Sequence, residues 1–305
     1  MKRKVLLFSM VLMLSAVACA GNSQQASKEY EFESLELQLE SRGTTIPATM
    51  VVPIGEEDEL FPLVVMHHGH GGGRNENGGF AKIAEALAKK GIITIRMDFA
   101  GAGDSKEPFE NLTHTSMIAD SNAALYYAVM NAPVDAERIG TIGYSEGSII
   151  SATLAGYPFS PYKAVALIGP VANVIDVFAN SFGGQEAFMA LYEEAKENGY
   201  AVVTTPWGQV QNSSLQWFNE SFAAKPLEWI KNFKGDILII RGAKDEIVPE
   251  SEPQAYMDAV KDTAKSSLFV EIADADHGYG FYSDQPQVTE ELHNALVNFF
   301  TEKLQ

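Results

Sequence analysis

Three residue types in a fixed chain order carry the chemistry legible in this sequence: a serine, an acid and a histidine. The serine is Ser145, within Gly143-Tyr144-Ser145-Glu146-Gly147. Arg138 to Gly143 is strand-like and Ser148 to Ala155 reads as a small-residue helix, so this run lies on a strand-to-helix turn. Gly-x-Ser-x-Gly in that setting forms a nucleophile elbow. The glycines permit a sharp turn with close helix packing, and the serine is pushed out at the carboxyl end of its strand. A serine hydroxyl needs a base, and the base needs an orienting acid. Asp274-Ala275-Asp276-His277-Gly278 follows the final expected strand and supplies His277 as the base. Gly242-Ala243-Lys244-Asp245-Glu246 follows the strand before it and supplies Asp245 as the acid. Asp274, Asp276 and Glu246 are its rivals, but Asp276 adjoins His277 in sequence and is poorly placed to bond the ring. A serine so activated attacks a carbonyl and forms an acyl-enzyme.

The tetrahedral intermediate of such a step needs backbone N–H donors for its oxyanion. One is expected from Glu146, the residue after the nucleophile. The other is expected from His70, in the loop His67-His68-Gly69-His70-Gly71-Gly72-Gly73, where glycines let the backbone approach a substrate. Three histidines in four positions also invite a metal reading. Neighbouring strand-end residues point to opposite faces, however, and no carboxylate lies close in sequence, so no metal is expected. His68 is expected to tie the loop down instead. The chemistry requires no cofactor.

The elements that must position these groups follow from hydrophobic periodicity. Tyr30 to Glu40 and Thr45 to Val52 alternate as an antiparallel pair turning at Gly43. Leu63 to Met66, Ile92 to Met97, Arg138 to Gly143, Ala164 to Ile168, Asp236 to Arg241 and Leu268 to Ile272 are short apolar strands. Helical spacing covers Phe80 to Lys90, Met117 to Met130, Glu252 to Val260 and Val288 to Leu304. Strands alternating with helices predict an α/β architecture: a doubly wound, mostly parallel sheet of about eight strands. Serine, acid and base all then fall at carboxyl ends of strands, where open α/β sheets bind ligands. The alternation stops over 171–234, a stretch too long for a loop and therefore expected to be an inserted cap. The core is expected in 30–170 and 235–305.

The cap holds all three tryptophans. Large aromatics mostly fill a small core of their own, with Trp207, Trp217 and Phe182 the candidates to line a substrate pocket. Glu193, Glu194 and Glu197 read as a solvated helix face. Asp104 reads as structural, holding the loop after Asp98.

The chain has 305 residues with 40 acidic and 22 basic side chains, a net charge of −18, which argues against nucleic acid as a partner. Met1-Lys2-Arg3-Lys4 followed by the apolar stretch Val5 to Ala18 matches a secretory signal peptide over 1–18, too short to span a bilayer as a mature helix. It ends in Ala16-Val17-Ala18-Cys19, which resembles a bacterial lipobox. Cys19 is thus expected to be acylated, with 19–29 as a lipidated tether, so that membrane contact is through the N-terminal lipid only and the chain is held at the cell envelope. With a single cysteine, no intrachain disulfide is available. The sequence leaves the oligomeric state open.

The stretch Gly91 to Phe99, then Gly101-Ala102-Gly103-Asp104-Ser105, then Phe109-Glu110-Asn111-Leu112-Thr113 resembles the bacterial cinnamoyl (feruloyl) esterases. Those are α/β-hydrolases with a short inserted cap, and the likeness runs through most of 62–300. The resemblance implies the α/β-hydrolase fold and a serine esterase with Ser145, Asp245 and His277 as triad, His70 and Glu146 as oxyanion donors, and a small-molecule ester as substrate. The chain departs from that family twice. Relatives usually carry His-Ser-Gln around the nucleophile, where this chain has Tyr144-Ser145-Glu146. They also usually carry an aromatic residue after His-Gly, where this chain has His70. Two rival readings stand beside the esterase: a serine peptidase of the proline-iminopeptidase type, and a non-enzymatic envelope lipoprotein on the same scaffold.

Overall fold

The computed structural model describes residues 28–305. The expected signal peptide, Cys19 and all but the last two residues of the expected tether lie outside the described residues.

The chain enters with β1 (Phe32–Ser41) and β2 (Thr44–Pro53), an antiparallel pair with Ser41 opposite Thr44. Arg42 and Gly43 join them at φ +53° and +79°, the left-handed two-residue turn whose twist suits a hairpin. Next come β3 (Phe61–His67), α1 (Gly79–Lys89), β4 (Ile93–Met97), α2 (His114–Asn131), β5 (Val134–Tyr144), α3 (Glu146–Gly156) and β6 (Tyr162–Ile168). The expected cap folds as α4 (Val174–Ser181), α5 (Gln185–Asn198), a hairpin of β7 (Tyr200–Thr204) and β8 (Val210–Ser214), α6 (Leu215–Ala223) and α7 (Pro226–Ile230). The core resumes with β9 (Asp236–Gly242), α8 (Ser251–Val260), β10 (Ser266–Ile272) and α9 (Pro286–Leu304).

Eight strands form one sheet in the order β1-β2-β4-β3-β5-β6-β9-β10, parallel from β4 to β10. Every residue of β3 is buried, because the strand has parallel neighbours on both sides and helices on both faces. Its side chains alternate between two cores. Leu63 and Val65 join Met117, Ile150 and Tyr256 under α2, α3 and α8, while Val64 and Met66 join Ile83, Leu87, Leu292 and Phe300 under α1 and α9. The expected doubly wound sheet is therefore the observed one. The sequence-based strands and helices fall within a few residues of those found.

A third cluster lies in the cap, where Phe178, Phe182, Phe188, Trp217 and Phe218 pack together. At the end of the insertion, Ile230 and Phe233 rejoin the core on the α3 side. Glu252 anchors the start of the insertion, accepting from Ala172 N at 2.8 Å and Asn173 N at 2.6 Å. Polar bonds also fasten the cap to the core: Thr115 Oγ1 donates to Glu220 at 2.7 Å, and Asn212 Nδ2 to Glu110 at 2.8 Å.

The described chain begins at the other end of the sheet. Tyr30 N donates to Lys89 O at 3.0 Å, and the Tyr30 ring stands edge-on to Phe61, the first residue of β3. Lys28 pairs with Glu59 at 3.5 Å.

Candidate active site

The elbow explains its own glycines. A β-carbon on Gly143 would lie 2.5 Å from the Gly147 carbonyl oxygen, and one on Gly147 would lie 2.3 Å from that of His67. Between them Ser145 adopts φ +51°, ψ −121°, a conformation that costs an L-residue about 1–3 kcal/mol and persists because its surroundings hold it. Ser145 N donates to Ile168 O on β6 at 2.9 Å. Ser148 Oγ donates to the Ser145 carbonyl at 2.5 Å and accepts from Val171 N at 3.0 Å, closing the turn from the helix side.

Ser145 Oγ lies 3.0 Å from His277 Nε2, and His277 Nδ1 lies 2.8 Å from Asp245 Oδ2. With a carboxylate at Nδ1, the ring carries its proton there and offers Nε2 to the serine hydroxyl. The other oxygen of Asp245 accepts from Ile247 N at 2.9 Å and Val248 N at 2.8 Å, which fixes the carboxylate's rotamer. The rival acids are engaged elsewhere or point outward. Asp274 pairs with Lys244 at 2.6 Å, Asp276 accepts from Gly278 N at 2.9 Å, and Glu246 is exposed. Tyr144 OH reaches the His277 carbonyl at 2.7 Å, and Tyr279 OH accepts from Gly242 N at 2.8 Å, so both relay loops are pinned from beneath.

His70 and Glu146 flank the serine on two different segments. Glu146 is the first residue of α3, so its N–H has no carbonyl one turn back to serve. The His70 N–H makes no hydrogen bond within the described residues. The three clustered histidines each have protein partners. His67 Nδ1 lies 2.7 Å from Ser151 Oγ, and His70 Nδ1 lies 2.8 Å from Glu146 Oε2. His68 does tie the loop, with Nδ1 donating to Gly69 O at 2.8 Å and Nε2 accepting from Phe99 N at 3.1 Å. Burial pushes His67 down to about 3, so it is neutral at ordinary pH.

Several contributors were not legible in the sequence. Glu76 is buried at φ +41° and accepts from Gly69 N at 2.8 Å, while its other oxygen accepts from Tyr282 OH on the segment after His277. It thereby joins the glycine-rich loop to the histidine loop, and burial pushes its carboxyl up. Its only sequence signal is an acid just beyond Gly73. His114 and Gln211 approach the site from α2 and β8 and carry no local motif. Asp98 is fully buried, accepting from Arg74 N at 2.6 Å and Asp104 N at 2.9 Å, while Asp104 pairs with Arg74 at 2.9 Å.

The aromatic pocket candidates are spread over different environments. Trp207 is 53% exposed beside the β7–β8 turn, with its indole N–H donating to Gln209 at 3.1 Å. Trp217 is 0% exposed, and its N–H is given to Glu146 Oε1 at 2.9 Å, so no face of the ring is open to a ligand. Phe182 stacks on Phe178 and Phe188 in the cap cluster. On α5, Glu193 and Glu197 are exposed as expected of a solvated face, whereas Glu194 accepts from Val202 N at 3.3 Å.

An eight-stranded, mostly parallel sheet with a serine on its elbow, hydrogen-bonded to a histidine and through it to an acid, defines a serine hydrolase of the α/β-hydrolase fold. Residues 78–305 match the family model described as the prolyl oligopeptidase family, and the chain belongs to that family. It is 20% identical over 249 residues to acylamino-acid-releasing enzyme 1 of Oryza sativa subsp. japonica, covering 80% of this chain and 30% of that protein. The chain thus spans about a third of the length of that curated relative. Among solved structures it resembles Est1E from Butyrivibrio proteoclasticus with ferulic acid bound, with TM-score 0.69 and 21% identity over 88% of this chain and 98% of that one. It also resembles the Pyrococcus horikoshii acylaminoacyl peptidase, with TM-score 0.68 and 18% identity over 90% of this chain and 42% of that one.

Proposed function

We propose that this protein hydrolyses carboxylic esters through an acyl-enzyme on Ser145, with aromatic-acid esters of the feruloyl and cinnamoyl type as the favoured class. The observation that carries the reading is the continuous relay from Ser145 Oγ through His277 to Asp245, at 3.0 and 2.8 Å. His277 takes the serine proton as Oγ attacks the carbonyl, and the N–H groups of His70 and Glu146 receive the oxyanion. The protonated imidazole then gives its proton to the departing alkoxide, and a water activated by the same ring releases the acid. The aromatic-ester part is supported by the likeness to Est1E, whose whole length this chain nearly covers.

A second reading, cleavage of aminoacyl or acylaminoacyl peptide bonds, is supported by membership of the prolyl oligopeptidase family and by the acylamino-acid-releasing relatives. Rates on methyl ferulate, p-nitrophenyl acetate and butyrate, and proline anilide separate the two, with Ser145→Ala as control. Ferulate preference supports the aromatic-ester reading, short-chain preference keeps an esterase without it, and anilide preference transfers the protein to the peptidases. Retained activity in Ser145→Ala removes the mechanism.

We further propose export and acylation at Cys19, on the strength of the basic, apolar and Ala-Val-Ala-Cys pattern of the first 19 residues. Mass spectrometry of the membrane fraction tests it, and an unmodified Cys19 thiol refutes it.

A further inference from the structure

The Glu146 carboxylate is 1% exposed and takes no part in the relay, yet it lies one residue after the serine. One of its oxygens lies 2.8 Å from His70 Nδ1. The other accepts from Trp217 Nε1 at 2.9 Å and lies 3.5 Å from His114 Nε2. The far nitrogen of His70 lies 2.7 Å from Gln211 Oε1. A single carboxylate therefore ties α3 to the loop after β3 and to cap helix α6, and through His70 it reaches β8, with His114 of α2 standing beside it.

We infer that the Glu146–His70 pair is a clasp that sets the spacing of the two oxyanion donors and makes that spacing depend on the seating of the cap. Each donor N–H belongs to one of the two residues whose side chains are joined, so the side-chain bond fixes the separation of the two backbones. The His70 ring cannot swing away from it. Phe109, Phe178, Phe182 and Trp217 surround it, with ring centres 5.4 to 6.0 Å away. Burial alone would push the Glu146 carboxyl up, but the His70 and His114 rings beside it overcome that and hold the group below the usual carboxylate range. A buried carboxylate stays in place only while its partners do, because an unpaired charge there is expensive. Two of the groups in this network, the Trp217 indole and the Gln211 amide, come from the cap. A cap lifted from the core would strip them away and loosen the oxyanion site, whereas a seated cap holds it rigid. Oxyanion donors work by being pre-positioned, so a small displacement is felt in the chemical step rather than in substrate binding.

This inference rests on Ser145 acting as the acyl nucleophile, and its test separates the two. The full chain and the variants Glu146→Gln, His70→Phe, the double variant and Trp217→Phe are assayed on p-nitrophenyl butyrate, beside Ser145→Ala. Phenylalanine at position 70 suits the aromatic surround, and glutamine at position 146 can still accept from Trp217, so both preserve packing. Each of the first two single variants is expected to lower kcat by about 10- to 100-fold with KM within about threefold, a smaller loss than deletion of a donor causes. Affinity for a trifluoromethyl ketone, which forms a tetrahedral adduct on the serine, should fall by the same factor as kcat. The double variant should lose no more than the worse single one, because both remove the same bond. Trp217→Phe, which deletes only the cap's N–H, should lower kcat by several-fold and carries the test if a variant at position 70 or 146 fails to fold. Losses that multiply in the double variant, or losses confined to KM, overturn the clasp. An unchanged kcat in Trp217→Phe overturns its link to the cap. Activity surviving in Ser145→Ala removes the premise, which is a different result from inert Ser145→Ala beside unaffected clasp variants.

Discussion

Tyr144 and His277 are joined twice: the phenol donates to the His277 carbonyl at 2.7 Å, and the two rings lie 5.5 Å apart at 31°. The residue before the serine therefore carries the backbone of the base, and elbow and base loop move as one body. Burial pushes the Tyr144 phenol well up, so it remains a donor at any working pH.

Tyr144→Phe keeps the ring and deletes the donor. It should cost about 1 kcal/mol of stability, the usual worth of such a bond. A several-fold lower kcat should accompany it, as His277 wanders from the serine. Urea unfolding and steady-state kinetics on one ester read both effects, and an unchanged kcat would show that the base loop is held without the phenol.

Asp245→Asn leaves the backbone bonds to one side-chain oxygen possible but removes the charge facing His277 Nδ1. An amide can present its NH2 to the ring and select the wrong tautomer, so kcat should fall by about 10³- to 10⁴-fold with little change in folding. Asp276→Asn and Asp274→Asn should leave kcat within about twofold, since neither touches the ring. A larger loss at Asp276 than at Asp245 would reassign the acid.

Gly147→Ala places a methyl group against the carbonyls of His67 and His68, at 2.3 and 2.6 Å. Those atoms are backbone at the end of the central strand and cannot give way cheaply. The substitution should cost about 1–3 kcal/mol, as other overpacked sites do, and should disturb the adjoining oxyanion loop. Thermal melting with fluorophosphonate labelling checks it; a stable, fully labelled Gly147→Ala variant would mean that helix α3 can shift outward.

The relay was legible because its signals are local: a glycine pair around a serine, and an acid and a histidine each just past an apolar run. Helices and strands were legible for the same reason, since β3 and α1 carry their periodicity within a few residues. The support behind the site was not. His114, Gln211 and Trp217 meet Glu146 and His70 only through the fold, across up to 141 positions of chain. Nothing in the sequence near Glu76 shows that it will bond both Gly69 and Tyr282. Of the residues that depart from the esterase pattern, Tyr144, Glu146 and His70, the last two lie 76 positions apart in the chain and in three dimensions are the two ends of one hydrogen bond.

His67 makes folding sensitive to mild acid. Its ring is buried and held neutral down to about 3, against 6.5 in the unfolded chain. Between those values the unfolded chain binds the extra proton, so stability falls as pH drops, by about 1.4 kcal/mol per unit well below 6.5. His293, also pushed down by burial, acts in the same direction. Urea midpoints at pH 7, 6 and 5 should decline in the parent and decline less in His67→Gln. Equal slopes for the two proteins would mean that His67 is already protonated when folded.

Lys28 and Tyr30 sit beside the starts of β3 and β4, whereas Ser145, Asp245 and His277 crown the opposite ends of the strands. Whatever grips the chain ahead of Lys28 holds it by the heel. A surface that contacted the molecule at Lys28 would therefore meet the starts of the strands and leave the relay on the far side, open to substrates arriving from solution.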